Sequence, residues 1–388
     1  MSDIVITGMG AITPLADNCQ KLWEALVLKE SALKPFVEFN TEGFLFHVGG
    51  EVPSEWLKEE GSLSEDKAVQ LLLKAFNEAS VQSELQDGNE CGFVLGSNFF
   101  SVKDYEEGLV NETSPLTNFD PIQIIQSLNQ DYKFNGVSSM LSLSCSSGLS
   151  SMSYAFDLLK SGQAKRLAAG GFDCLSRFCW SGLGGLRTMS EEGLKPFDEN
   201  RKGTQFAEGA GIVILETKEE AEKRGVEILG EMCSYGANNN AYHMSAPVKD
   251  GSGLRKAMEM AVERSDVNLE SIVHINAHAT GTPYNDSSET QAIRDLFKEH
   301  TDNVVIGANK ANFGHLMGAA GSVEAIITLM SLNNQIVPPI ACSTEIDPEI
   351  LLQLSFESTL SLDGDYALTN SSGIGGNNAS VLLKRGVR

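Results

Sequence analysis

The side chain best suited to covalent chemistry is that of Cys145, in the segment LSCSSG at 143–148. An apolar segment precedes it and an amphipathic helical pattern begins near Gly148, which predicts a strand-to-helix turn with the sulfur close to a helix N-terminus. Unpaired N–H groups there favour the thiolate and lower the pKa of a cysteine. The alternative is a buried structural cysteine, which is our interpretation of the other six cysteines.

A second candidate is His278, in the segment NAHATGTP at 276–283. It directly follows a predicted buried strand and enters a small polar loop, where catalytic groups are commonly mounted. The alternative is a hydrogen-bonded histidine at a strand end, which we favour for His274 inside the strand. A structural role is also our interpretation of the remaining histidines apart from His315, namely His47, His243 and His300.

A third segment places Lys310 and His315 in a glycine-containing loop between a predicted strand and a very apolar helix at 322–332. Glu324 falls inside that helix, where an unpaired carboxylate would be costly. We therefore expect a buried Lys310–Glu324 ion pair. His315 taken alone is weak support for a catalytic site.

The fourth segment is the glycine-dense NSSGIGGNN at 370–378, between two predicted strands. Its backbone N–H groups could stabilise a developing oxyanion, although an ordinary glycine-rich hairpin is the alternative. The chain contains no G-x-G-x-x-G, no G-x-x-x-x-G-K-[ST], no H-E-x-x-H and no G-x-S-x-G motif. Nucleotide-binding loops, zinc proteases and serine hydrolases are therefore not indicated.

Strand and helix signals alternate along the whole chain, which favours an α/β architecture. Short β-branched or apolar runs predict strands at 4–7, 91–95, 167–171, 210–215, 272–276, 304–306, 366–369 and 379–383. Helical periodicity predicts helices at 149–159, 254–264, 288–298 and 322–332. The second series begins after a charged stretch at 218–227, so the pattern fits two similar halves.

Composition excludes several classes of partner. The 388 residues carry 52 Asp+Glu against 29 Lys+Arg, a formal charge of -23. Nucleic acids and anionic membranes require a basic footprint, so neither partner is expected. Seven cysteines without C-x-x-C spacing indicate neither a disulfide framework nor a zinc site. With no signal-peptide pattern and no long apolar run, we expect a cytoplasmic protein without membrane insertion.

One cysteine followed by two histidines, 133 and then 37 residues further on, suggests covalent thioester chemistry. The chain resembles the β-ketoacyl-acyl-carrier-protein synthases of the thiolase-like superfamily, in their elongating Cys-His-His form. The resembling segments follow the family's order at 4–14, 142–148, 195–211, 241–253, 276–283, 310–321 and 370–378. The resemblance implies a dimer with a five-layer αβαβα fold made of two duplicated halves. We place these at 1–225, with the nucleophile, and 226–388, with the catalytic histidines.

The resemblance also implies roles for the candidate residues. Cys145 would attack the thioester of an acyl carrier protein and hold the acyl group. His278 and His315 would hydrogen-bond the carbonyl of malonyl-acyl carrier protein and stabilise the enolate formed on decarboxylation. The backbone N–H groups of Cys145 and Ile374 would form the oxyanion hole. Condensation would give 3-oxoacyl-acyl carrier protein, in fatty-acid, polyketide or aryl-polyene synthesis.

Further residues take supporting roles by the same resemblance. Lys310 would orient His315 electrostatically through Glu324, and Thr280 and Thr282 would contact the phosphopantetheine arm of the carrier. No metal and no free cofactor would be required, because loss of carbon dioxide drives the reaction.

The acyl carrier protein implied as partner is itself acidic, so this acidic chain needs a local basic patch to bind it. Arg187 matches an arginine that contacts the carrier phosphate in relatives. Arg201 and Lys202 lie close by in sequence, and we expect them to belong to the same patch.

Three departures from the family pattern leave the pathway open. Ser142 to Ser144 precede the nucleophile where Thr-Ala is usual. Ile374 replaces the phenylalanine that gates the acyl tunnel, so gating or chain preference should differ. The chain also looks short after Gly96.

Several alternatives remain at this point. The chain could be a chain-length-factor-like subunit, although such partners lack the nucleophile, or the active half of a ketosynthase heterodimer. A thiolase is disfavoured because no late cysteine lies in a glycine-rich loop. A priming enzyme with a Cys-His-Asn site is disfavoured by His315.

Overall fold

The structure is a computed structural model that describes residues 2–57, 66–86, 90–112 and 120–386. Its helices are α1 Cys19–Val27, α2 Lys67–Gln82, α3 Val102–Val110, α4 Pro121–Asp131, α5 Ser147–Lys160, α6 Arg177–Gly185, α7 Lys218–Arg224, α8 Ser252–Glu263, α9 Pro283–Phe297, α10 Lys310–Phe313 and α11 Ala320–Asn334. Its strands are β1 Ile4–Ile12, β2 Lys34–Pro35, β3 Val48–Gly49, β4 Gly92–Gly96, β5 Ser139–Leu141, β6 Arg166–Asp173, β7 Gly209–Thr217, β8 Gly230–Asn239, β9 Ile272–Asn276, β10 Val305–Gly307, β11 Ile336–Val337, β12 Gln353–Leu354, β13 Leu360–Ser361, β14 Tyr366–Gly373 and β15 Asn377–Arg385.

Eleven of the described strands form one mixed sheet in the order β12-β10-β9-β14-β15-β8-β1-β7-β6-β4-β5. The two halves of the sheet meet where Ile4–Ile6 of β1 pair with Gly230–Met232 of β8. On one side of this joint, β1, β7 and β6 pair antiparallel, and β6, β4 and β5 pair parallel. On the other side, β8, β15 and β14 pair antiparallel, and β14, β9 and β10 pair parallel. The same pairing therefore occurs twice, as expected of a duplicated fold.

Helix burial sets the layers. The side chains of α11, in the sequence AGSVEAIITLMSLNN, are buried nearly all round, because its apolar residues cover every face of the helix. α11 and α5 pack on each other and on strands of both halves, so they form a middle layer. By contrast α2 and α8 are amphipathic: α2 packs on β1 and β7, and α8 packs on β8, β15 and α9. The two halves of the sheet therefore lie on either side of the middle layer, with α2 and α8 outside them. The layers run αβαβα, which confirms the expected fold.

Each predicted strand and helix is present, with ends that differ by a few residues. The glycine-dense segment needs a larger correction: β14 continues to Gly373 and β15 begins at Asn377, so only 374–376 form the turn. The charged stretch between the halves contains the short helix α7. The boundary at residue 225 stays a prediction. In the described part of the chain, no helix combines the length and apolarity needed to cross a membrane.

The parallel strands position the chemistry. In such sheets, ligand sites form outside the carboxyl ends of the strands. In the first half, β4 ends before residues 97–99, β5 ends before the turn that leads to α5, and β6 ends at Asp173. The carboxyl ends of β9, β10 and β14 lead into His278, the loop before α11, and Ile374.

Candidate active site

A cleft that is partly open to solvent lies at these strand ends. Residues from both halves line it: Cys145, Thr188, Thr204, Phe206, Asn240, Ser245, Ala246, Pro247, His278, Thr280, Thr282, Asn285, His315, Ser372, Gly373, Ile374, Gly376 and Asn378. The fold therefore brings the predicted nucleophile, both histidines and the predicted pantetheine contacts to one cavity.

Cys145 sits in a tight turn directly before α5. Ser144 has a positive φ of 57°, a strained conformation for a residue with a side chain. Two serine hydroxyls stabilise the turn: that of Ser146 donates to the Leu143 carbonyl at 2.7 Å, and that of Ser147 donates to the Ser144 carbonyl at 2.6 Å. Ser147 also accepts the Leu143 N–H at 2.8 Å. These bonds hold the sulfur at the cleft with 5% of the residue exposed.

The pKa of Cys145 differs from the sequence expectation of a lowered value. Burial raises the pKa of the thiol, while the Ser144 hydroxyl, the Lys310 charge and the Ile374 N–H offset part of that effect. Asp173 adds to the rise. The expectation was wrong because it considered the helix N-terminus but not the depth of burial. The thiol is therefore protonated at rest.

The turn at 374–376 packs against the nucleophile. The backbone N–H of Ile374 lies close enough to the Cys145 sulfur to lower the pKa of its thiol, and the Ser371 hydroxyl donates to the Cys145 carbonyl at 2.9 Å. The amide side chain of Asn377 donates to the Leu143 carbonyl at 3.3 Å. The Ile374 N–H therefore lies beside the sulfur that would carry the acyl group, the neighbourhood in which the predicted oxyanion hole would form. Its role in catalysis stays a prediction.

His278 is fixed through both its backbone and its ring. The carboxylate of Glu289 in α9 accepts the N–H groups of His278 and Ala279 at 2.9 and 2.8 Å. Ala279 has a φ of 37°, so the chain turns sharply directly after the histidine. The Lys310 ammonium lies 3.3 Å from the ring Nδ1 of His278. Because an ammonium can only donate, Nδ1 accepts and the ring proton sits on Nε2.

His315 is fixed by different means. Its N–H donates to the Gln205 carbonyl at 2.8 Å, and its carbonyl accepts the Ala207 N–H at 2.9 Å. The Met317 N–H donates to its ring Nδ1 at 3.1 Å, which again places the ring proton on Nε2. The Phe206 ring lies alongside, with centroids 5.3 Å apart and planes 30° apart.

The two imidazoles lie edge to face, with centroids 5.4 Å apart and planes 85° apart. Burial and the Lys310 charge hold the pKa of both rings well below the usual histidine value, and His315 lowers the pKa of His278 further. Both rings are neutral at physiological pH. The cleft thus holds two neutral Nε2–H donors, a suitable arrangement for stabilising one developing oxyanion.

The predicted buried pair of Lys310 and Glu324 is confirmed, with both side chains almost wholly buried. Burial raises the pKa of Glu324 to about 7, although Lys310 opposes the rise. The Lys310 ammonium contacts the ring of His278, and its charge also lowers the pKa of His315, so the predicted orientation of His315 through Glu324 stays a prediction. The loop after β10 bends so that Lys310 reaches the preceding loop, while the ring of His315 is held by a backbone amide.

Thr280 and Thr282 share a hydrogen bond of 2.9 Å and line the cleft. Thr282 also caps α9, because its hydroxyl accepts the Asn285 N–H at 3.3 Å. The two hydroxyls are therefore held in place at the cleft, and their contact with a pantetheine arm stays a prediction.

The predicted docking residues separate in the structure. Arg187 is exposed, has no ion pair with the described residues and precedes the cleft-lining Thr188. Lys202 is exposed but pairs with Glu192 at 2.5 Å. The inclusion of Arg201 was wrong: its guanidinium is buried and donates to the Asp198 carbonyl and the Asp347 carboxylate. Docking through Arg187 and Lys202 stays a prediction.

Three buried carboxylates beside the site escaped the sequence reasoning. Glu289 and Asp286 lie on the inner face of α9, and Asp286 accepts the Gly281 and Phe197 N–H groups at 3.1 and 2.9 Å. Asp173 lies at the end of β6. Burial raises the pKa of Asp286 and of Asp173 to about 6. The argument used for Glu324, a carboxylate on a buried helix face, could have found Glu289, which lies in the helix predicted at 288–298, but not Asp286, which precedes that range.

Metal ligation was not expected, and the described residues contain no group of three or more His, Cys, Asp or Glu side chains that could hold a metal ion. All seven cysteines are free thiols. Of the residues that line the cleft, Cys145 is the one cysteine.

Comparison with known proteins gives a consistent result over the length of the chain. Residues 1–221 match the family described as beta-ketoacyl synthase, N-terminal domain, and residues 229–343 match its C-terminal domain. A 3-oxoacyl-[acyl-carrier-protein] synthase 2 from Synechocystis sp. is 31% identical, with 98% of each chain covered.

Two solved structures are similar over nearly their full lengths. The ishigamide ketosynthase/chain length factor has a TM-score of 0.91 and 26% identity, with 99% of each chain covered. A type II PKS acyl-carrier protein in complex with its ketosynthase bound to the hexaketide has a TM-score of 0.89 and 25% identity, again with 99% of each chain covered.

Proposed function

Because the chain belongs to the β-ketoacyl synthase family, we propose that it condenses an acyl group held on Cys145 with malonyl-acyl carrier protein. The product is 3-oxoacyl-acyl carrier protein, and the enzyme is an acyltransferase of the condensing type. The observation that carries the proposal is the cleft in which Cys145 faces two neutral imidazoles.

In the first step the Cys145 sulfur attacks the thioester carbonyl of an acyl carrier protein. The new C–S bond forms, the carrier's C–S bond breaks, and the thiol proton ends on the departing pantetheine sulfur. The tetrahedral oxyanion accepts hydrogen bonds from the backbone N–H groups of Cys145 and Ile374, the latter of which already faces the sulfur. The acyl group remains on the enzyme.

In the second step the carbonyl oxygen of malonyl-acyl carrier protein accepts hydrogen bonds from the Nε2–H groups of His278 and His315. The malonyl C–C bond breaks, carbon dioxide leaves, and the electron pair forms an enolate stabilised by those two donors. The enolate carbon attacks the acyl carbonyl on Cys145, which leaves as a thiolate and is reprotonated. Lys310 keeps Nδ1 of His278 free of a proton, so that its Nε2 donates.

The partner is an acyl carrier protein, whose phosphopantetheine would pass Thr280 and Thr282 while the carrier docks near Arg187 and Lys202. One similar structure pairs a ketosynthase with an acyl-carrier protein and another is named for a ketosynthase/chain length factor. This chain would form a homodimer, or a heterodimer with a homologous ketosynthase or chain length factor. This reaction would serve either fatty-acid or specialised polyketide synthesis. Ile374, at the position that gates the acyl tunnel, would set the preference for the acyl chain.

The second candidate function is that of a chain-length-factor-like subunit without catalysis of its own. Cys145, His278 and His315 in one cleft disfavour it. The halves at 1–225 and 226–388, the absence of a free cofactor and a cytoplasmic location remain part of the proposal.

The experiment is acylation of the purified protein by an acyl-acyl carrier protein, followed by intact-mass spectrometry. We expect the wild-type chain to gain one acyl group and Cys145→Ala to gain none. Cys342→Ala is the matched control, since Cys342 is exposed and outside the cleft, and should be acylated like wild type. Acylation of Cys145→Ala would contradict the proposal.

A further inference from the structure

Asp173 is a wholly buried carboxylate that the mechanism above does not use. Its Oδ1 accepts the Ser97 hydroxyl at 2.6 Å and the backbone N–H groups of Asn98 and Phe99 at 3.0 Å each. Its Oδ2 accepts the Gly318 N–H at 2.6 Å. Oδ1 thus serves only the loop after β4 in the first half, while Oδ2, which also accepts the Asn98 N–H at 3.1 Å, holds a turn of the second half.

The turn held by Oδ2 is the one that orients His315. The Met317 N–H donates to Nδ1 of that histidine, and the next amide along the chain is the Gly318 N–H, which donates to Asp173. Met317 has a φ of 53°, a conformation that needs support from its surroundings. A Cβ at position 318 would lie 2.6 Å from Oδ2 of Asp173, so the turn is pressed directly onto the carboxylate.

We propose that Asp173 is the positioning residue of His315, holding the turn at 315–318 so that the Met317 amide fixes the ring with Nε2–H in the cleft. The inference rests on the proposed function and adds a residue of the first half to the decarboxylation machinery of the second.

Each catalytic histidine thereby has its own buried carboxylate. Glu289 accepts two successive amides at His278 and Ala279, and Asp173 accepts the amide that follows the one bound to His315. Charge-assisted hydrogen bonds of this kind are stronger than neutral ones. A carboxylate at each loop therefore limits the freedom of two rings that must donate to the same oxygen.

Asp173→Asn breaks this link selectively. The amide oxygen can keep the three bonds from residues 97–99, and the amide nitrogen then faces the Gly318 N–H, donor against donor. The nucleophile turn keeps its own serine hydroxyl bonds, none of which involves Asp173.

The test measures two partial reactions of the full-length enzyme separately: carbon dioxide release from malonyl-acyl carrier protein, and acylation of Cys145 by acyl-acyl carrier protein. We expect Asp173→Asn to slow decarboxylation at least tenfold and to change acylation less than threefold. Ser97→Ala is the matched control, because it removes a donor to the same carboxylate without touching Gly318, and both rates should stay within threefold of wild type. Equal losses in both reactions, or an unchanged decarboxylation rate, would overturn the inference.

If Asp173→Asn does not fold, hydrogen exchange on the wild-type enzyme decides. We expect the Gly318 amide to exchange at least a hundredfold more slowly than the amide of the exposed Gly43. Exchange at the same rate would overturn the inference. Failure of wild-type acylation would instead count against the proposed function, so the two failures are distinguishable.

Discussion

Two equivalent connections of the duplicated fold carry different chemistry. Between β5 and α5 the chain crosses in residues 142–146 and presents Cys145. Between β10 and α11 it takes residues 308–319 and presents Lys310 and His315. Both connections end at a middle-layer helix and meet at the same cleft. The shorter connection positions a nucleophile, whereas the longer one positions groups that stabilise charge.

The two connections also differ in what stabilises them. Serine hydroxyls satisfy the backbone of the first turn. The second connection contributes Lys310 to a buried ion pair with Glu324 of α11, and its Gly318 amide donates to the Asp173 carboxylate. The duplicated strands and helices therefore place both connections at the same cleft, and the buried charged groups at one connection set the charge environment of the histidines.

The largest expected effect comes from breaking the buried pair in the longer connection. Lys310→Met leaves Glu324 buried without its counter-charge and should lower the free energy of unfolding by about 3–5 kcal/mol. The measurement is urea unfolding at neutral pH. The double variant Lys310→Met/Glu324→Gln should recover most of the loss, since no unpaired charge remains. A double variant as unstable as the single one would show that the buried charge is not the cause.

A smaller effect tests a difference between the central parallel strands of the two halves. The third residue of β9 is His274, whereas that of β4 is Val94. The Nδ1–H of His274 donates to the Val305 carbonyl at 2.8 Å, and burial lowers the pKa of the ring to about 4. Below an unfolded pKa near 6.5 the unfolded chain binds more protons, so stability falls as pH drops towards 4.

His274→Val should remove that dependence. Between pH 7 and pH 5, the wild-type protein should lose about 2 kcal/mol more of its unfolding free energy than the variant. Urea unfolding at both pH values gives the difference. The raised pKa values of Asp173 and Asp286 act in the opposite direction, but they act equally in both proteins. Parallel pH profiles for the two proteins would contradict the assignment.

The smallest expected effect concerns docking of the acyl carrier protein at Arg187, which belongs to the first half. Arg187→Glu should lower kcat/KM for acyl-acyl carrier protein about tenfold, because it reverses a charge that faces an acidic partner. A small acyl-pantetheine substrate should be turned over within twofold of wild type. Lys223→Glu, at an exposed position of α7, which packs on β1 and β7 and does not line the cleft, is the charge-matched control. Equal losses with both substrates would argue against docking at Arg187.

Periodicity, which is a local signal, was sufficient for the eight strands and four helices that were predicted, and the family resemblance was sufficient for the convergence of Cys145, His278 and His315 in one cleft. Sequence was insufficient for contacts between distant segments. Asp173 and Gly318 are 145 positions apart, and Arg201 and Asp347 are 146 positions apart, with no pattern in either segment that names the other. The raised pKa of the Cys145 thiol likewise depends on burial by the completed fold.

The central claim is that the nucleophile turn carries the acyl group while the histidine loops carry out decarboxylation. Carbon dioxide release from malonyl-acyl carrier protein, with no acyl donor present, tests it most directly in Cys145→Ala and His315→Ala. Cys145→Ala should release carbon dioxide within tenfold of the wild-type rate. His315→Ala should lose about 10²–10³-fold, the usual cost of removing one oxyanion donor. A Cys145→Ala variant that loses decarboxylation, or a His315→Ala variant that keeps it, would contradict the division of roles.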